Sequence, residues 1–234
     1  MFVGHYSVSL VAKAYAKDAP LGLLFLAVQL LDILFFPFAI VGIEQLKIVP
    51  HFTQSTHFEL PFMPYTHSLV AALSWAAVSY VAAALWFKRR VTKPHWVATA
   101  VAIAVFSHWA LDLIVHTPDL PILGDSSTKL GLGLWRSAIA TAALELFLTL
   151  VGLFLYLRST RATSPMGKWA MPCFVGLLLI IGVVNIFGPP LGNSVTSLAA
   201  VALGSYFGFA AVAVWLERYR IPPRSHGVHT GKGA

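Results

Sequence analysis

Charge is what this sequence has least of. Only 11% of its 234 residues are Asp, Glu, Lys or Arg, against roughly 25% in soluble domains. No polar stretch is long enough to form a separate soluble domain. A single cysteine, Cys173, excludes an internal disulfide and leaves the redox compartment unread. The start, MFVGHY, lacks a basic n-region, so no cleaved signal peptide is expected. No internal repeat or low-complexity tract breaks the chain. What is abundant is apolar surface, with 58% hydrophobic residues. One soluble core of this size has no room for it, whereas lipid accepts it.

Six apolar runs reach the roughly 20 residues needed to cross a hydrocarbon core. They are Leu21–Ile43, Thr66–Phe87, His95–His116, Leu134–Leu157, Trp169–Phe187 and Val195–Leu216. The expected fold is all-α, a polytopic transmembrane helical bundle of six long spans plus a short N-terminal membrane helix. One transmembrane domain over 1–216 is followed by a polar tail, 217–234. Residues 2–16 are apolar but span only about 22 Å as a helix. With a turn at Lys17–Pro20 they read as a hairpin with the first span, which sets His5 and Asp32 at similar depth. A helix lying flat on the membrane surface is the alternative, and it separates the two.

The net charge of +7 comes from basic residues in short loops, which argues for topology and against nucleic acid as a partner. Lys13, Lys17, Lys88, Arg89, Arg90, Lys93, Arg158, Arg161, Lys168 and the tail basics Arg218, Arg220, Arg224 and Lys232 fall at one end of the spans. Lys47, Lys129 and Arg136 fall at the other. By the positive-inside rule the first end, with the C-terminus, is cytoplasmic.

Against this background the spans hold groups that are expensive in lipid, about 2.5–3.5 kcal/mol for a central Asp. Asp32, Asp112 and Glu145 lie within apolar runs, with no Lys or Arg at matching depth. Three cheaper states remain: protonated carboxyls, carboxylate–histidine pairs, or carboxylates on a metal ion. The segment HWALDLIVHTPDLP sets His108, Asp112 and His116 at i, i+4 steps, drifting about 40° per step along one helical stripe. Asp119 follows Pro118, where the helix should break. His67 opens the second run within PYTHSL. By depth these groups converge on the outward half of the bundle. The candidate metal ligands are therefore His5, Asp32, His67, His108, Asp112, His116 and Glu145, with Asp119 as a supporting or extra ligand. Imidazole and carboxylate are the usual donors to catalytic zinc.

Other readings stand beside this one. An intramembrane carboxylate also serves in proton relays or helix association. His95, next to Trp96, reads as an interfacial cap. His51 and His57 read as solvated loop residues, and His226 and His229 belong to the tail. Arg136 either snorkels to head groups or faces the pocket to hold an anionic substrate.

In the segments GHYS, QLLDI, MPYTHSL, HWALDLIVHTPDLPI and LGLGLWRSAIATAALEL, in that order over residues 1–150, the chain resembles the bacterial membrane-bound metal-dependent hydrolases. The resemblance implies a hydrolase of the bacterial cytoplasmic membrane, and the positive-inside rule with the depth of the donors sets its site towards the outer face. The order of donors is also similar to that of zinc-dependent phospholipases C, all-helical enzymes with three zinc ions. Carried over, that likeness implies one metal on Asp32, His67, His108 and Asp112, and a second on His5 sharing Asp112. A third would rest on His116 and Glu145. Spacings differ from that pattern, and Thr141 stands where it has a histidine. The two likenesses together imply one to three divalent ions, zinc by preference, and a metal-activated water attacking a small-molecule phosphoester or a lipid-linked substrate. Asp32 is expected to help deprotonate that water and Asp112 to bridge. An ion- or proton-coupled transporter and a non-catalytic metal-binding membrane protein are the alternatives.

Overall fold

The computed structural model describes residues 1–222. Eight helices run in the order α1 (Val3–Tyr15), α2 (Leu21–Ala27), α3 (Leu30–Ile40), α4 (Leu69–Phe87), α5 (Pro94–Val115), α6 (Ala138–Ser159), α7 (Pro165–Phe187) and α8 (Val195–Glu217). Helices α4 to α8 are each long and apolar enough to cross a membrane. The pair α2–α3 adds a sixth crossing if taken as one bent span. Three two-stranded antiparallel ribbons close the loops: β1 (Gln45–Ile48) with β2 (Phe58–Phe62), β3 (Leu120–Pro121) with β4 (Lys129–Leu130), and β5 (Arg161–Ala162) with β6 (Arg220–Ile221).

The helix starts follow local chemistry. Ser68, Ser137, Ser164 and Ser194 each accept a backbone N–H of the first turn through the side-chain oxygen, satisfying donors that lipid cannot. Pro94 and Pro165 take first-turn positions where no N–H is needed. The second run thus begins its helix at Leu69, leaving Thr66 and His67 in the preceding turn. Likewise α5 stops at Val115, so His116 is the extended residue just past the helix end rather than part of its stripe.

The first long run differs most from expectation. It is not one straight helix: the axis bends by 49° between α2 and α3. The carbonyl of Val28 accepts a 2.7 Å hydrogen bond from the His108 ring, and Gln29 leaves helical geometry with φ −108° and ψ 7°. The break places Asp32 in the first turn of α3, where backbone N–H groups favour a carboxylate.

The N-terminal helix is a core element and not a surface one. Residues Val3, His5, Tyr6, Ser7, Ser9 and Leu10 of α1 are buried, and α1 packs along α6, α2 and α5. Gly152 of α6 allows the close approach, because a Cβ there would lie 2.7 Å from the Ser7 carbonyl oxygen. At the other end of α1, Lys13 donates to the carbonyls of Lys17 and Ala19 at 2.6 and 2.8 Å and pairs with Glu217. The domain also runs past residue 216. Arg220, in β6, donates to Thr160 Oγ1 and to the carbonyls of Gly167 and Thr160, so the expected tail boundary at 217 falls inside structured chain. Arg224, His226, His229 and Lys232 lie outside the described residues.

Two groups of buried apolar side chains fill the bundle. One, built on Leu24, Val101, Ala83 and Phe87, lies towards the basic loops. The other, built on Phe35, Leu60, Leu120, Trp135 and Tyr206, lies towards the β1–β2 ribbon. Phe2 and Leu113 pack against both, and the histidines and aspartates sit at that junction.

Candidate metal centre

Asp112, one turn before the end of α5, is the hub. Its Oδ1 lies 3.2 Å from His5 Nε2 and 2.8 Å from the Met1 nitrogen. Its Oδ2 lies 3.1 Å from His108 Nε2, 3.6 Å from His116 Nε2 and 3.9 Å from His67 Nε2. Asp32 Oδ1 approaches His67 Nε2 at 3.4 Å and His108 Nε2 at 3.6 Å. The rings of His5 and His108 stack at 4.0 Å, 6° from parallel. All but Asp32 are buried to within a few per cent of their surface.

What the imidazoles do with their other nitrogen decides how these contacts read. His108 Nδ1 faces the Val28 carbonyl at 2.7 Å, an atom that can only accept, so the ring donates there. His116 Nδ1 faces the Asp119 carboxylate at 2.9 Å and donates likewise. His67 Nδ1 lies 2.8 Å from Thr66 Oγ1. The single Thr66 hydroxyl proton goes to Glu44 Oε2 at 2.7 Å, so Thr66 can only accept from His67. In the neutral ring all three residues therefore present an Nε2 lone pair to two carboxylates. Facing acceptors at 3.1–3.9 Å are relieved by a proton on Nε2, which then donates to the carboxylate, or by a metal ion, which requires its donors ~3–4 Å apart.

The spacings fit that requirement. Two donors each ~2.1 Å from a common ion at a tetrahedral angle stand ~3.4 Å apart. Two groups of donor atoms, His5–His108–Asp112 and Asp32–His67–His108, each lie within 4.8 Å of one another. His5 Nδ1 and Nε2 and His108 Nε2 are buried without a hydrogen-bond partner, which is costly for a nitrogen left to itself. These buried His and Asp side chains can hold a metal ion.

The remaining sequence candidates take other places. Glu145 caps the first turn of α1: Oε1 accepts from the Phe2 amide at 3.0 Å, and Oε2 accepts from Val3 and Gly4 at 2.9 and 3.2 Å. Phe2 offers no capping side chain, so a carboxylate 143 residues away caps the helix instead. Thr141 donates to the Leu134 carbonyl and accepts from Ser55. Asp119 orients His116 and accepts from Thr117. Arg136 is exposed beside His51, Phe52 and Thr117 in a shallow outer depression, away from the Asp112 group.

His57 corrects the expectation of a solvated loop residue. It is buried, its Nδ1 accepts the His51 amide at 3.0 Å, and its Nε2–H donates to the Gly188 carbonyl at 2.9 Å. Two contributors had no local signal. Tyr206 of α8 donates its hydroxyl to Asp32 Oδ2 at 2.7 Å. Glu44 accepts from the amides of Tyr65 and Thr66 at 2.8 and 3.0 Å besides the Thr66 hydroxyl. Burial raises its carboxyl above the usual carboxylate range, opposed by those hydrogen bonds.

Because Glu44 and Thr66 set the His67 tautomer, Thr66→Val is expected to weaken metal binding by about 10–100-fold, the usual effect of losing an orienting partner. A competition titration with a chromophoric chelator measures this. Unchanged affinity would mean that His67 needs no such support.

A cavity of about 210 Å³ opens beside the centre, reaching Asp32, His67, Asp112 and His116 at its floor and running between Tyr206, Phe35 and Ile186 above. Compared with protein-family models, with curated proteins and with solved structures, the chain matches none.

Proposed function

We propose that this chain is a membrane-embedded, metal-dependent hydrolase of phosphoester substrates. The observation that carries the reading is the convergence of His5, His67, His108, Asp32 and Asp112 beside a cavity lined by Asp32, His67 and Asp112. Asp32, His67, His108 and Asp112 would hold the first ion, zinc by preference, and His5 would share Asp112 with a second. A bound divalent ion supplies a water of pKa about 7 and polarises the scissile group.

The chain's own residues divide the remaining work. Both aspartates line the cavity, but Asp112 has 3% side-chain exposure and Asp32 20%. Asp32 is therefore the carboxylate placed to accept a proton from a water in that space. The Tyr206 hydroxyl on its other oxygen keeps it turned towards the centre. The likeness of residues 1–150 to the bacterial membrane-bound metal-dependent hydrolases supports the same chemistry. The clustering of basic residues in the α4–α5 and α6–α7 loops supports a cytoplasmic assignment for that end, with the C-terminus there and the centre towards the outer face of the bacterial inner membrane. Below His108, α5 buries Val105, Ala104, Val101 and Ala98, which favours a blind site over an ion path.

Protein purified in detergent from zinc-replete cells is expected to carry at least one divalent ion per chain by mass-spectrometric metal analysis. It is expected to hydrolyse bis(p-nitrophenyl) phosphate, to lose that activity with 1,10-phenanthroline, and to regain it with added zinc. Metal-free wild-type protein from such cells would overturn the proposal.

A further inference from the structure

The cavity has two sides, and they differ in kind. Towards the ribbon end, the loop between β1 and β2 is strapped across the top. Ser55 Oγ donates to Thr141 Oγ1 at 3.1 Å, the Ala138 amide donates to Gln54 Oε1 at 3.3 Å, and His57 bonds the Gly188 carbonyl at 2.9 Å. Those three contacts tie the loop to α6 on one side and to the α7–α8 connection on the other.

Between α7 and α8 the situation is reversed. Helix α7 packs mainly on α6, and α8 mainly on α2 and α3. The cavity runs into the gap between them, past Ile181 and Ile186 on α7 and Leu198, Val201 and Ala202 on α8. The rim of this gap is apolar and uncovered: Leu191 is 43% exposed and Val201 44%. These helices are long and apolar enough to cross a membrane, so that rim faces hydrocarbon. A route of this kind favours an alkyl chain over a freely hydrated solute. Within the gap, Asn185 lines the wall and has no side-chain partner among the described residues. It offers one amide to a polar linkage between the chain and the centre.

We infer that the gap between α7 and α8 is a lateral portal and alkyl-chain subsite, so that the substrate is a long-chain phosphoester amphiphile drawn from the bilayer, its head at Asp32 and its chain between the two helices. This rests on the hydrolase reading for the fate of the head group, but the subsite itself does not depend on turnover. It also gives the last two helices, which carry no recognisable motif, a role in choosing the substrate.

The test uses hexadecyl phosphate bearing a mid-chain diazirine, with the full-length protein in nanodiscs. After irradiation, adducts are mapped by mass spectrometry. Labelling is expected at Ile181, Ile186, Leu198 and Ala202, competed by unlabelled hexadecyl phosphate and not by equimolar inorganic phosphate. Ala202→Trp, which fills the gap, is expected to reduce that labelling at least fivefold. Phe207→Trp, on the exposed face of α8, should leave it unchanged, and Ala202→Leu replaces the larger variant if it does not fold. Adducts spread evenly over exposed positions such as Leu177 and Ile180, indifferent to Ala202→Trp, would overturn the inference. So would competition by inorganic phosphate alone. Groove labelling without phosphodiester hydrolysis retires the hydrolase reading and keeps the subsite. Hydrolysis without groove labelling does the opposite.

Discussion

Asp112→Asn is expected to empty the centre: metal content falls to background and hydrolysis disappears with it. Both oxygens of Asp112 are committed, Oδ1 towards His5 and Met1, and Oδ2 towards His108, His116 and His67. The amide has nearly the same shape but carries no charge and turns an N–H₂ towards one of those two sets. On one side it points a donor where a cation belongs. Loss of an orienting partner costs a metal site 10–100-fold in affinity, and loss of the hub should exceed about 100-fold. Asp32→Asn touches the edge of the same group and should retain more metal while losing the rate. Metal analysis and single-turnover assays on the two variants separate the roles, and an Asp112→Asn protein with full metal would refute the hub assignment.

The second large effect is on stability. Glu145→Ala removes the acceptor for three first-turn amides of α1, two of them on one oxygen. Water entering the cavity that Glu145 lines would replace the carboxylate with a weaker, uncharged acceptor. Leaving a buried amide without its acceptor costs about 1–3 kcal/mol, and α1 carries His5 with it. Thermal unfolding in detergent should show a drop of many degrees, with weaker metal binding as a consequence. Glu145→Gln, which keeps one acceptor oxygen, should be milder by about half. This pair of variants also tests the ligand role suggested by sequence. If Glu145 held metal directly, Glu145→Gln would lose metal while melting like the wild type.

Much of the donor set was legible in the chain, because an ionisable residue in an apolar run stands out one position at a time. His108, Asp112 and His116 could be grouped from i, i+4 spacing alone, and Pro118 ended the helix near where it was expected to. Glu145 stood out equally well, yet its oxygens are spent on amides 141 to 143 residues away, which no spacing rule reports. Glu44 and Tyr206 carried no signal, since each acts through one partner distant in sequence. His57 looked like an ordinary loop histidine because nothing near it announces the Gly188 carbonyl.

The break at Val28 shows the same limit in the backbone. The stretch VQLLDI contains neither Gly nor Pro, and local propensity continues the helix straight through it. His108, 80 residues on, takes the Val28 carbonyl, and the resulting bend delivers Asp32 to the centre. The apolar composition, the approximate long helices and the roster of polar residues inside apolar runs could be read from the sequence alone, because apolar transfer is close to a sum over residues. Which of those residues face one another at 3–4 Å, in which tautomer, and beside which opening, was decided only by tertiary packing. Hydrogen bonds and donor geometry depend on atoms brought together from α1, α3, α5, α8 and the turn before α4, and no local window contains them.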